Sequence, residues 1–228
     1  MGVLKSLFSV IFPQVCEICG CALVDGEVHL CLQCMAAMPR LNYHTMPEHP
    51  FVRRMAAARI DRVAVMFPYV KGNDYAALIQ KAKYHHRPEI DEYLAESFAR
   101  QLGPDFFRGI DMVVPVPMYW WKRLTRGFNQ TDYIARGISK ATGLPTAGNL
   151  IAVKGHTSQT RKGAVGRMLN TRSVFDVVDA DQLDRKHILI VDDVITTGST
   201  IFECADTIRK FVPHVHISVL ALAKARQN

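Results

Sequence analysis

The sequence contains no low-complexity tract, no internal repeat and no apolar run long enough to cross a bilayer, which takes about 20 residues. A membrane span is therefore excluded as an expectation. Cysteine is missing from most of the chain: five of the six lie between Cys16 and Cys34, and Cys204 stands alone in a helical pattern. That distribution argues against a disulfide framework, which would staple a small secreted chain throughout, and for a metal module in a reducing compartment. The Gly-Lys-Ser/Thr of a Walker loop is absent, which excludes that route to nucleotide binding. Tryptophan is scarce, limited to the adjacent Trp120 and Trp121.

What remains is ample for a folded protein. The chain has 228 residues, 49% of them hydrophobic, enough for one α/β domain and a small extra module. A net charge of +7 suits an anionic partner: a phosphorylated small molecule, a nucleic acid or an acidic protein. The first twelve residues carry a lysine and a short apolar run without a convincing cleavage site. Gly2 and Ser6 sit where a myristoylation signal would place them, but a short amphipathic helix docked on the protein is the preferred reading. The expected location is cytoplasmic.

Two units are expected: 1–50, an N-terminal helix, cysteine module and linker, and 51–228, the main domain. Residues 39–50, rich in proline and histidine, read as the linker. Strand patterning covers 59–70, 112–116, 174–178, 188–191 and 216–222. Helical spacing covers 75–84, 90–102, 129–142 and 200–211, with Gly103-Pro104 ending the second and Thr200 and Glu203 at capping-box spacing before the last. The alternation predicts an α/β fold with a parallel sheet, in which ligands bind beyond the carboxyl ends of strands. The loops after Val116 and Val191 are therefore the ones to examine.

After Val191 comes Asp192-Asp193-Val194-Ile195-Thr196-Thr197-Gly198-Ser199-Thr200. Two carboxylates at a strand's end can accept from sugar hydroxyls or approach a magnesium-bound ligand. Gly198 lets the backbone come close to a ligand, and the following helix start offers free N–H groups and a positive dipole end to phosphate. This stretch resembles the phosphoribosyl-diphosphate (PRPP) signature of type I phosphoribosyltransferases. By that resemblance Asp192 and Asp193 take the ribose, and 196–200 take the 5′-phosphate. Pro115-Val-Pro117, Arg126-Gly-Phe-Asn-Gln130, the 157–170 stretch and Phe175 resemble more closely the ComF/GntX-like subgroup, which is associated with competence and DNA uptake and carries an N-terminal four-cysteine module.

The resemblance implies a type I phosphoribosyltransferase fold and Mg²⁺-dependent transfer of phosphoribosyl to an unidentified nitrogen acceptor, with release of pyrophosphate. Asp192, Asp193 and Arg126 are the expected catalytic residues; Arg126 and Gly127, in the basic loop that also holds Lys122 and Arg123, are expected to face the pyrophosphate. Trp120 and Trp121 either stack on a base or pack. Lys154, Arg161, Lys162 and Arg167, set among glycines, are expected to form a loop that closes over the reaction centre, the alternative being a surface loop without a task. Lys83, Tyr84 and Arg87 form a further basic cluster with no evident role. Acceptor contacts are expected from 59–102. Glutaminase activity is not expected, since the chain begins Met1-Gly2 and lacks a second domain.

Cys16-x-x-Cys19 and Cys31-x-x-Cys34 read as two knuckles of a structural Zn²⁺ site, with Cys21 surplus. The rival function is an accessory module that senses PRPP or a nucleotide, or accompanies single-stranded DNA or DNA-uptake proteins, without catalysis. The oligomeric state is left open.

Overall fold

The computed structural model describes residues 14–118, 124–152 and 174–225. The expected N-terminal helix, Trp120, Trp121, Lys122, Arg123, and the loop residues Lys154, Arg161, Lys162 and Arg167 lie outside them.

The centre is a four-stranded parallel sheet in the order β1-β6-β5-β2, formed by β1 (Val63–Tyr69), β2 (Met112–Pro115), β5 (His187–Ile195) and β6 (His216–Ala225). Ile188, Leu189, Ile190 and Val191 are all fully buried, as an unbroken apolar run in a sheet covered on both faces requires. Alternate residues feed two cores. Met66, Leu189, Val191 and Leu220 pack beneath α3 (Asp74–Tyr84), α4 (Glu89–Phe107) and α5 (Gln130–Thr142). Val65, Ile188, Ile190 and Val219 pack against α2 (Pro50–Ala57) and α6 (Ser199–Phe211), while the short α1 (Leu32–Ala36) precedes them in the cysteine module. Cys204 is a fully buried residue of the second core, as its helical pattern suggested. The parallel α/β architecture with a cysteine cluster ahead of it is the fold class expected from the sequence.

Several local expectations need correction. The strand at 174–178 does not join the parallel sheet: β4 (Phe175–Val177) pairs antiparallel with β3 (Leu150–Ala152), too short a segment to give an alternation signal. β5 does not stop at Val191, because the ten-residue β6 continues to offer partners: Asp192 pairs with Ala221 and Ile195 with Lys224. The acids thus stand within the strand, and the turn follows them. The Thr200–Glu203 capping box is not formed. Gly198 is the N-cap, and Glu203 instead accepts from the Val174 N–H at 3.0 Å. Residues 39–50 are not a bare linker, since Leu41 bridges to Val65 and a 3₁₀ turn occupies Tyr43–Thr45. The helix after them, α2, was missed. Its start is nonetheless built from local chemistry, with His49 Nδ1 accepting from the Phe51 N–H and Pro50 in the first turn. α4 breaks at Gly103 (φ 72°) and resumes at Pro104 for a further turn.

α4 and α5 meet at unusually short range. A Cβ placed on Gly137 would lie 2.2 Å from the Glu92 carbonyl oxygen and 2.9 Å from the Glu96 nitrogen. Only glycine permits this approach.

Candidate functional site

The strand end that carries Asp192 and Asp193 opens into a cleft of about 440 Å³, within the size range of small-ligand sites. Its walls come from β5 (Asp192, Asp193), α3 (Lys83), the segment before α5 (Arg126, Asn129) and the first turns of α5 and α6. The loop after β2 is tied in place from below. The Thr131 hydroxyl donates to the Val116 carbonyl at 2.6 Å, and Asn129 Nδ2 donates to the same oxygen at 3.2 Å.

Lys83 Nζ lies 2.7 Å from Asp193 Oδ2, with both side chains mostly shielded from water. Asp192 accepts the Asp193 backbone N–H at 2.9 Å through its own Oδ1. Burial, and then the charge of Asp193, push the Asp192 carboxyl up to about 8. Near neutral pH Asp192 therefore carries a proton that it can donate beside an oxygen that can accept, a combination suited to a sugar hydroxyl.

A second layer supports Arg126. Its Nη1 donates to Gln130 Oε1 at 3.2 Å, and Gln130 Nε2 donates to Asp91 Oδ2 at 3.1 Å. Asp91 is completely buried and its Oδ1 has no hydrogen-bond partner among the described residues. Burial, followed by the charge of Asp193, raises its carboxyl well above the ordinary range. The Arg126 guanidinium also lies 5.4 Å from the Tyr84 ring centroid. The basic cluster without a role is thus resolved into three tasks. Lys83 pairs with Asp193, Tyr84 carries Arg126, and Arg87 pairs with Glu17 of the cysteine module at 3.1 Å.

The nine-residue motif is divided rather than kept together. Asp192, Asp193 and Thr200 line the acid cleft with Arg126, whereas Thr196 and Thr197 line an adjoining one. Ile195 is a core residue at 2% exposure, and Val194 packs at the edge of the other core. Gly198 (φ 88°) supplies the left-handed turn before α6, where the Thr197 and Ser199 hydroxyls lie 3.0 Å apart. Gly127 takes φ 81° directly after Arg126. Asp91, Asn129, Gln130 and Glu203 were not anticipated. For Asp91 a signal existed: it shares the helical face of Leu94, Ala95 and Phe98, where a carboxylate is out of place.

The cysteine module is organised by its backbone. The Cys16 N–H donates to the Cys21 carbonyl at 2.8 Å and the Gly20 N–H to the Cys16 carbonyl at 2.9 Å, while Met35 N–H closes the second knuckle on the Cys31 carbonyl. Glu27 spans the gap between the knuckles, accepting from the Val24 and Leu32 N–H groups. The Sγ atoms of Cys16, Cys19, Cys31 and Cys34 all lie within 4.8 Å of one another, a set able to hold a metal ion. The Cys19–Cys31 separation is 3.7 Å, and four thiolates at about 2.3 Å from a tetrahedral ion would be spaced about 3.8 Å apart. The set therefore fits. Cys21 approaches Cys19 at 3.2 Å from the exposed side. The module is fixed to the domain: Lys81 Nζ reaches the Glu17 carbonyl at 2.7 Å and its carboxylate at 3.0 Å, and Tyr75 donates to the Cys34 carbonyl at 3.0 Å.

No family model matches the chain. Its sequence is similar to Competence protein F of Haemophilus influenzae, 29% identical over 173 residues, 72% of this chain and 73% of that one. It is also similar to the DNA utilization protein YhgH of Salmonella typhimurium, 29% identical over 198 residues and covering 84% and 82% of the two chains, and to YhgH of Escherichia coli K12 at 26% identity. The resemblance read from the motifs is thus met along most of the chain. Among solved structures, the glutamine phosphoribosylpyrophosphate amidotransferase of B. subtilis matches 62% of this chain at 18% identity with a TM-score of 0.42. The allosteric regulatory enzyme of purine biosynthesis matches equally much at 19% identity, again with a TM-score of 0.42. The chain spans about 30% of the length of each.

Proposed function

We propose that this relative of Competence protein F binds PRPP and transfers its phosphoribosyl group to a nitrogen nucleophile. The observation that carries the reading is one cleft holding a carboxyl pair, an arginine and a lysine beside a glycine-turned helix start. Asp192 and Asp193 would hold the ribose hydroxyls, and the N–H groups at the start of α6 would take the 5′-phosphate. Arg126, set by Gln130 and Tyr84, faces the departing pyrophosphate. In the reaction the bond from C1 to the pyrophosphate oxygen breaks and its electron pair leaves with pyrophosphate. The nitrogen lone pair forms the new C1–N bond, and a nitrogen that bears hydrogen then gives up one proton. Lys83 holds Asp193 in place at 2.7 Å, beside the sugar where charge accumulates at C1; the contribution is positioning and charge stabilisation. Mg²⁺ would arrive with PRPP and neutralise pyrophosphate. Zn²⁺ on Cys16, Cys19, Cys31 and Cys34 would hold the module's fold and, with four thiolates, has no open position for chemistry. The location proposed is the cytoplasm.

The test is calorimetric titration of the whole chain with PRPP and Mg²⁺, followed by pyrophosphate release in an acceptor screen. Binding is expected in the wild type and a loss of at least about tenfold in Asp193→Asn. Equal affinity in both would overturn the assignment.

A second reading draws on the relatives' names, competence and DNA utilization, and on the net charge of +7. In it the domain senses PRPP or accompanies single-stranded DNA without turnover. Salt-sensitive binding of single-stranded DNA, with no pyrophosphate released for any acceptor, would favour it.

A further inference from the structure

The turn at 196–198 separates the acid cleft from a second one, of about 510 Å³, at the carboxyl ends of β1 and β6. Its chemistry is the opposite of its neighbour's. Two cations, Arg54 and Lys224, line it, and none of its lining residues is acidic. Among the described residues each cation meets neutral groups. Lys224 Nζ donates to the Ala225 carbonyl and sits 5.2 Å from the Phe51 ring centroid, and the Arg54 guanidinium lies 5.3 Å from the ring of Phe202. Burial, and then the charge of Arg54, hold the Lys224 ammonium below its ordinary range. Among the described residues the two like charges thus share a cleft without a counter-charge, a cost that an incoming anion would relieve. The remaining wall is aromatic: Tyr43 packs against Phe51 with centroids 5.1 Å apart and against His49 at 4.5 Å.

We propose that this second cleft receives the acceptor, and that the acceptor is a planar aromatic anion of small-molecule size. Its ring lies along Tyr43 and Phe51, its acidic group sits between Arg54 and Lys224, and its nitrogen points past Thr196 and Thr197 towards the sugar. The proposal rests on the reading of the acid cleft as the PRPP site, since one turn serves both: Thr196 and Thr197 line this cleft and Thr200 lines the other. It moves the acceptor away from most of 59–102: the wall comes from Leu41 to Arg54 and from the end of β6, with only Pro68 from the expected region.

The experiment is ligand-observed NMR and calorimetry on the whole chain, using anthranilate, nicotinate and orotate beside their uncharged amides, with PRPP and Mg²⁺ titrated separately. At least one carboxylate is expected to bind about tenfold more tightly than its amide, and Lys224→Met and Arg54→Gln are each expected to weaken it about tenfold while leaving PRPP affinity within about twofold. Arg54 is exposed, so its variant folds even where the lysine variant does not. Equal binding of acids and amides, or indifference to both substitutions, overturns the proposal. So does an oligothymidylate of about 12 nucleotides that binds through Lys224 when no aromatic carboxylate does. Carboxylates failing while PRPP binds would sink the acceptor class alone. PRPP failing while carboxylates bind would sink the reading beneath it, and the acceptor role with it.

Discussion

Asp91 offers the sharpest test of how the acid cleft is built. Its carboxyl is wholly buried, makes a single hydrogen bond to Gln130, and is raised far above the ordinary carboxylate range. If the neutral form is resident, Asp91→Asn preserves both shape and the acceptor for Gln130 Nε2. The expected cost at pH 5 is below about 1 kcal/mol. Asp91→Ala leaves the amide of Gln130, itself 1% exposed, without its partner, at about 1–3 kcal/mol. The two variants must also respond differently to pH. The folded state holds the Asp91 proton more tightly than the unfolded chain does. Wild-type stability from this group is therefore complete below about pH 4 and declines as pH rises towards the folded value, by up to about 1.4 kcal/mol per pH unit. Asparagine has no such dependence. Urea denaturation at pH 5 and pH 8 should show the stability of Asp91→Asn relative to wild type improving with pH. A gap that moves the other way, with wild type gaining on the variant as pH rises, would mean an ionised Asp91 engaged with a cation, and the neutral-acid account would be refuted. Because Gln130 also fixes Arg126, Asp91→Ala should weaken pyrophosphate binding as well, whereas Asp91→Asn should leave it nearly unchanged.

Gly137→Ala forces a methyl group against the Glu92 carbonyl, a backbone atom that cannot swing aside. A loss of about 1–3 kcal/mol in chemical denaturation is expected, and an unchanged midpoint would show that α4 and α5 sit further apart than described. Elemental analysis of purified protein should find about one zinc per chain, lost in Cys31→Ser and retained in Cys21→Ser, with a lowered thermal midpoint after chelation. Zinc surviving Cys31→Ser but not Cys21→Ser would reassign the fourth ligand.

The parts of this molecule legible in the sequence are those written in neighbouring residues. The apolar run at 188–191 announces a strand buried on both faces, and the two knuckles announce a thiol cluster, because each pattern is complete within a few positions. The supporting layer is not of that kind. Lys83, Asp91, Arg126 and Gln130 come from three helices and the helical segment ahead of the last, and the close approach of α5 to α4 at Gly137 brings Gln130 onto Asp91. Read locally, Asp91 sends two opposed signals: an acid in a helix's first turn, as good a partner for the dipole as Glu89 or Glu92, yet placed on the apolar face of Leu94, Ala95 and Phe98. What distinguishes it is burial, a property of the packed pair of helices. Asp91 in turn feels the charges of Asp193 and Lys83 across that packing, the first raising its carboxyl and the second lowering it. The glycine that closes the helix pair and the buried acid behind the cleft are therefore one device, even where they never touch.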